Sequence, residues 1–233
     1  MSFLNALPTD RLLIEASLWS ADLGALGAEV ERIEPYADLI HIDASDTRFV
    51  PEPLFFPAVV AALRPRTTLP FHVHLMARDP GRLADAFADA GADLITVHAE
   101  ADGAADAIQR IRARGRAAGL ALTLDTNIAG VYELIEHVDA VVMVGTPLGT
   151  KGTDLDPAAP GRLTAMRRLL DLRGRAVPVL ADGGIREHTV PALVAAGASG
   201  VVTGSLLLAS TDPATTADWL RHHRTAHPNG AAL

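Results

Sequence analysis

Leu69-Pro70-Phe71-His72-Val73-His74-Leu75-Met76, followed by residues 81–90 and then Asp93-Leu94-Ile95-Thr96-Val97-His98, decides the fold. The outer pieces read as short buried strands and the middle as a helix, which makes a strand–helix–strand unit, the repeat of a parallel sheet. Asp89-Ala90-Gly91-Ala92-Asp93, ahead of the second of these strands, has an echo in Ala195-Ala196-Gly197-Ala198-Ser199. Each glycine is placed to end a helix in the left-handed region before the next strand.

Working outward, the same alternation covers nearly the whole chain. Strands are expected over 11–17, 38–43, 69–76, 93–98, 120–124, 140–144, 177–181 and 200–203. Helices are expected over 21–35, with Ser20 as N-cap, and over 53–63, 81–90, 104–118, 129–137, 161–172, 189–196 and 213–223. Continuous apolar strands suit a parallel sheet buried on both faces. Eight such units in 233 residues predict one α/β domain over 1–233, a (β/α)8 TIM barrel, with a frayed tail over 224–233. The competing architecture is an open, doubly wound sheet.

Bulk composition narrows the function. Hydrophobic residues make up 49% and aromatics only 4%, so Ala, Leu and Val do the packing. A formal charge of -8 argues against nucleic acid or an anionic membrane as partner. Without cysteine there is neither a disulfide framework nor thiolate chemistry. No basic region followed by an apolar core opens the chain, and no apolar run reaches spanning length, so a cytoplasmic location is expected. A homo-oligomeric state is a further expectation.

The C-terminal strand ends of such a barrel face its active site. In order they carry Ser17, His41 with Asp43, His74, His98 with Glu100, the 143–152 loop, Asp182, and Gly204-Ser205. Residues two apart in a strand share a face, so His41 and Asp43 point the same way. With His74 and Asp182 they offer two imidazoles and two carboxylates, a set that holds a divalent metal (zinc, iron, manganese or cobalt). A single site of this kind requires all ligand atoms within about 6 Å of one another, because metal–ligand bonds are about 2.0–2.2 Å. Gly183-Gly184 and Gly204-Ser205 suit an anion, since glycine lets backbone N–H groups approach it closely.

These residues carry a resemblance to the ribulose-phosphate 3-epimerase family. Ala16-Ser17-Leu18-Trp19-Ser20-Ala21-Asp22 looks like the family's opening strand, and His41-Ile42-Asp43-Ala44-Ser45-Asp46 with Phe49-Val50-Pro51 like its second. Val73-His74-Leu75-Met76, Ile95-Thr96-Val97-His98-Ala99-Glu100, Asp182-Gly183-Gly184-Ile185 and Gly204-Ser205 match later strands. The resemblance implies a barrel of the ribulose-phosphate-binding type. It also implies one divalent metal on His41, Asp43, His74 and Asp182, and an acid–base pair in Asp43 and Asp182. The implied activity is epimerisation at C3 of a phosphorylated ketose, ribulose 5-phosphate/xylulose 5-phosphate first, through a metal-stabilised enediolate. Ser17, His74, Met76, Met143, Lys151, Gly183, Gly184, Gly204 and Ser205 would line the substrate, and His98 and Glu100 would support the site without being ligands.

The chain also departs from that pattern. Ser45, Thr47 and Arg48 replace the family's Met, Gly and His, Thr123-Leu124-Asp125-Thr126-Asn127 replaces an Asn-Pro turn, and Lys151 brings a cation to the sixth loop. Glu15 and His72 stand where the family tends to have a small residue and an aspartate; both would point inward and satisfy one another or ordered water. These changes surround the substrate, so another tetrulose, xylulose or hexulose phosphate is the runner-up, and a non-catalytic sugar-phosphate-binding barrel a third reading. A lyase of the related phosphate-binding barrels is disfavoured, because its Asp-x-Lys signature is absent from the second and third strand ends.

Overall fold

A computed structural model describes residues 3–223. Its strands are β1 (Leu13–Ser17), β2 (Leu39–Ser45), β3 (Phe71–Met76), β4 (Leu94–His98), β5 (Ala117–Leu122), β6 (Ala140–Val144), β7 (Val179–Asp182) and β8 (Gly200–Thr203). All neighbours are parallel and in chain order, and β1 pairs with both β2 and β8, so the sheet is a closed barrel and the open-sheet alternative is excluded. The helices are α1 (Leu26–Ile33), α2 (Pro57–Leu63), α3 (Gly81–Ala90), α4 (Ala104–Ala113), α5 (Ala159–Leu172), α6 (Val190–Ala195), α7 (Ser205–Leu208) and α8 (Pro213–Arg221). Among the described residues no helix is long and apolar enough to cross a membrane. The tail over 224–233 lies outside them.

The strands bury both faces, and the two faces differ. Ile14, Ala16, Ile40, Ile42, Val73, Leu75, Ile95 and Val97 belong to the main apolar core. Alternate residues fill the barrel interior. On the β5–β7 side these are small or aliphatic: Ala121, Val142 and Leu180 cluster together. At the N-terminal strand ends, Leu94, Ala117 and Ala140 are covered by Phe3 and Leu4. On the β1–β4 side the interior is polar, with Glu15, His41, His72, His74, Thr96 and His98 each at most 1% exposed. Burying that much polarity is unfavourable unless every group finds a partner. His41, Asp43 and His74 lie on this half, and Asp182 joins them from β7.

Several boundaries differ from the sequence expectation for local reasons. Helix α4 stops at Ala113 and the strand starts at Ala117, because Gly115 takes φ +70° and turns the chain early. Gly119, on that strand, fits only as glycine, since a Cβ there would lie 2.0 Å from Thr96 Oγ1. The helix expected over 129–137 is two 3₁₀ turns, Ile128–Val131 and Leu134–His137, the first capped by the Asn127 side chain accepting from the Ala129 N–H. Ser20 closes a 3₁₀ turn, and α1 starts only at Leu26. Gly91 and Gly197 do take positive φ, +106° and +101°, after α3 and α6.

Candidate metal centre and anion pocket

Register assembles the site. His41 lies beside Ser17 on one side and His72 on the other, while Asp43 pairs with His74 and Asp182 ends β7. One ligand atom from each of His41, Asp43, His74 and Asp182 lies within 4.8 Å of all the others, inside the limit a shared ion sets. His41 Nε2 is 3.4 Å from Asp43 Oδ1 and 3.9 Å from Asp182 Oδ2. His74 Nδ1 is 3.4 and 3.2 Å from the same two oxygens. A tetrahedron built on bonds of 2.0–2.2 Å has edges of roughly 3.3–3.6 Å.

One assignment of the neutral imidazole tautomers satisfies the hydrogen-bond network. His98 Nδ1 donates to Glu100 Oε2 at 3.0 Å, so its Nε2 is an acceptor. His74 Nε2, 2.8 Å from that atom, must then donate, which leaves His74 Nδ1 with a free lone pair. His41 Nδ1 lies 2.9 Å from Glu15 Oε2 and can only donate to a carboxylate, which frees Nε2. His41 Nε2 and His74 Nδ1 are buried and have no hydrogen-bond partner. Two free lone pairs facing two carboxylates are the donor set of a divalent cation, so the residues present fit a metal.

The electrostatics agree. Burial works against charge throughout this cluster. Even so, His41 and His74 hold the Asp43 carboxyl well below the usual carboxylate range. Despite burial, the facing carboxylates pull His41 well above the ordinary imidazole value and raise His74. The field of the two carboxylates favours positive charge in the gap, which a cation on the two open lone pairs would supply. Burial pushes His98 down to about 4, consistent with the neutral ring its hydrogen bonds require. Ser17 Oγ donates to the second Asp43 oxygen at 2.9 Å and fixes the carboxylate plane.

A cavity of about 230 Å³ opens above this cluster. Of the expected residues, Ser17, Asp43, His74, Met76, Lys151, Asp182, Gly183, Gly184, Gly204 and Ser205 line it, and His41 sits beneath. Met143 does not reach it. Strand parity turns Met143 outward into the core under the helices, and its neighbour Val144, paired with Asp182, faces the cavity instead. Sequence reading also missed Trp19, Thr146 and Arg186, which line the cavity. Arg186 follows the Gly183-Gly184-Ile185 turn directly, and that position was its only signal. Lys151 Nζ donates to the Trp19 carbonyl at 2.7 Å, so the sixth loop already reaches across the mouth. Glu100 supports His98 and also accepts from the Thr123 N–H and hydroxyl, at 2.9 and 3.0 Å.

Comparison with known proteins gives this arrangement a family. The model of the ribulose-phosphate 3 epimerase family matches residues 13–208. The ribulose-phosphate 3-epimerase of Bacillus subtilis is 36% identical over 202 residues, covering 85% of this chain and 93% of that relative. That of Synechocystis is 30% identical over 226 residues, covering 95% and 98%. Among solved structures, a 3-hexulose-6-phosphate synthase superposes with a TM-score of 0.67 at 24% identity over 90% of this chain and 98% of its own. Orotidine 5'-phosphate decarboxylase from Pyrococcus horikoshii gives 0.63 at 15% identity over 91% and 98%. At those identities the structures speak for the fold alone. The match along 13–208 and the two epimerase relatives carry the assignment: the chain belongs to the ribulose-phosphate 3-epimerase family.

Proposed function

We propose that this protein epimerises a phosphorylated ketose at the carbon next to its carbonyl, with ribulose 5-phosphate/xylulose 5-phosphate the first candidate. One observation carries the reading: Asp43 and Asp182 reach one gap from β2 and β7, beside two imidazole nitrogens with free lone pairs. Inverting a carbon acid needs a base on one face and an acid on the other. In one direction an ionised carboxylate takes the C3 proton, and the second, protonated carboxyl returns a proton to the opposite face. The return direction exchanges the roles. Ser17 holds the Asp43 carboxylate in one orientation, and His41 and His74 favour its ionised form in the direction in which it acts as base.

His41, Asp43, His74 and Asp182 would hold one divalent metal, which when bound supplies positive charge to the ketone oxygen as the carbon acid ionises. The Gly183-Gly184 and Gly204-Ser205 turns would place backbone N–H groups on the phosphate, with Lys151 and Arg186 as side-chain cations at the same recess. Met76 and Trp19 give that cavity apolar walls, which exclude water from the carbanion.

The test is incubation with a panel of ketose phosphates in heavy water. Deuterium uptake at C3 with conversion of ribulose 5-phosphate to xylulose 5-phosphate is expected. The altered residues around the ends of β2, β5 and β6 (Ser45, Thr47 and Arg48, 123–127, and Lys151) favour as second reading a different ketose phosphate, such as a tetrulose or hexulose phosphate, and the same panel decides it. Absence of exchange from every member would sink the epimerase reading.

A further inference from the structure

We infer that Glu15, held in place by His72 and Thr96, is a positioning residue for His41, fixing its imidazole with the proton on Nδ1 and the lone pair of Nε2 toward Asp43 and Asp182. The inference rests on the metal-site reading above and adds to it the groups that prepare one of the ligands. Glu15 lies one layer below the cavity, 1% exposed, and touches neither the cavity nor a candidate ligand atom facing it. A buried carboxylate that never meets substrate needs a reason to be there.

The geometry supplies one. Glu15 Oε2 accepts from His41 Nδ1 at 2.9 Å and from His72 Nδ1 at 2.7 Å. The two rings meet edge to face, with centroids 4.8 Å apart and planes at 80°, so both N–H groups converge on one oxygen. A carboxylate oxygen has two lone pairs, and two donors fill it. With the proton of His72 committed to Glu15, its Nε2 accepts from the Thr96 hydroxyl at 2.7 Å. Thr96 in turn has its place because Gly119 presents no Cβ against its hydroxyl. The ordering therefore runs from Gly119 through Thr96, His72 and Glu15 to His41, and its one outlet toward the cavity is His41 Nε2.

Glu15, His41 and His72 also have ligand atoms within 4.8 Å of one another, which raises a second metal as the rival account. That account fails on donors. Both Nδ1 atoms are already bonded to Glu15, and His72 Nε2 to Thr96. With His41 Nε2 turned toward Asp43 and Asp182, what this trio has left is Glu15 Oε1, and one oxygen does not hold an ion. The other imidazole of the main cluster has a matching support, since His74 leans on His98 and Glu100. Each of the two histidines thus ends in a carboxylate on the side away from Asp43 and Asp182. Carboxylates placed behind metal-binding histidines raise ligand basicity as well as fixing the tautomer.

The experiment measures metal affinity of the folded protein by competition of zinc or cobalt(II) against a chromophoric chelator, for the unaltered chain and for Glu15→Gln. Glutamine keeps the size and one carbonyl acceptor but loses the charge, so the variant should bind metal about 10–100-fold more weakly. A folded Glu15→Gln that binds metal as tightly as the unaltered chain overturns the inference and leaves the metal centre standing. An unaltered chain that binds no metal overturns both. If Glu15→Gln does not fold, the unaltered chain with ¹⁵N-histidine and ¹¹³Cd decides the matter. Coupling of cadmium to His41 Nε2, with a slowly exchanging proton on Nδ1, is expected, and coupling through His41 Nδ1 overturns the inference.

Discussion

Replacing Lys151 by alanine removes one ammonium from the cavity mouth, and the structure allows its effect to be bounded. Lys151 is exposed, so its attraction to a phosphate is taken at the aqueous end, about 1 kcal/mol per pair of unit charges at 4 Å. A phosphate monoester carries close to two charges, which makes the attraction about 2 kcal/mol. Against that, Nζ must leave the Trp19 carbonyl it holds at 2.7 Å, a net loss of about 1 kcal/mol. The difference, about 1 kcal/mol, corresponds to a rise in KM of roughly 5-fold. Contact with the phosphate is remote from the reacting carbon, so turnover falls as well if the binding energy is used to close the sixth loop. The assay is steady-state kinetics on the phosphorylated ketose and on its unphosphorylated counterpart, at low and high salt. The KM effect should be confined to the phosphorylated substrate and should shrink with salt. Equal changes for both substrates would show that Lys151 serves only to strap the loop to Trp19, and the electrostatic reasoning would be wrong.

Asp182→Asn should lower turnover by at least 10²–10⁴-fold, since an amide neither accepts nor returns the proton; metal content measured alongside separates this from loss of the ion, and near-normal turnover would remove Asp182 from the mechanism. Gly119→Ala places a Cβ 2.0 Å from Thr96 Oγ1, so it should cost about 1–3 kcal/mol of stability in denaturant titration, and an unchanged midpoint would mean the barrel wall gives freely there. Thr47 sits at φ +59°, a conformation unfavourable for a β-branched side chain. Thr47→Gly should therefore raise Tm by about 1–3 °C, as relief of left-handed strain exceeds the entropy cost of glycine, and a fall in Tm would refute the strain.

The barrel and its His/Asp cluster were legible in the sequence because both follow from parity. Two-residue spacing put His41 with Asp43 and His72 with His74 on one face, and parallel strands of matched length brought those faces together. The same rule led to the contact between Glu15 and His72, which were expected to satisfy one another. Where the reading failed, parity had no anchor. Met143 and Val144 are both apolar, so nothing local told which one faces inward. Ala117-Ala118-Gly119 has no strand-forming side chains; its pairing with Leu94, Ile95 and Thr96 of β4 makes it a strand, and beside Thr96 only glycine fits. Arg186 joins the cavity from a loop and Trp19 from the 3₁₀ turn after β1, and no periodicity records either.

The His/Asp cluster and the Gly183-Gly184 turn meet at a single covalent link. Asp182 closes β7, and Gly183 follows it with φ +88° and Gly184 with φ +69°, the latter pressed against the Leu155 backbone. On the proposed reading, one end of that link grips the phosphate and the other handles the proton. The peptide between them acts as a ruler, setting how many bonds separate the phosphate from the carbon that inverts. Side chains around the cavity can alter how tightly a sugar is held, but a ketose one carbon longer would react at C3 only with its phosphate seated one bond farther from Asp182. Changing which carbon is inverted would require cutting a new ruler from the backbone itself.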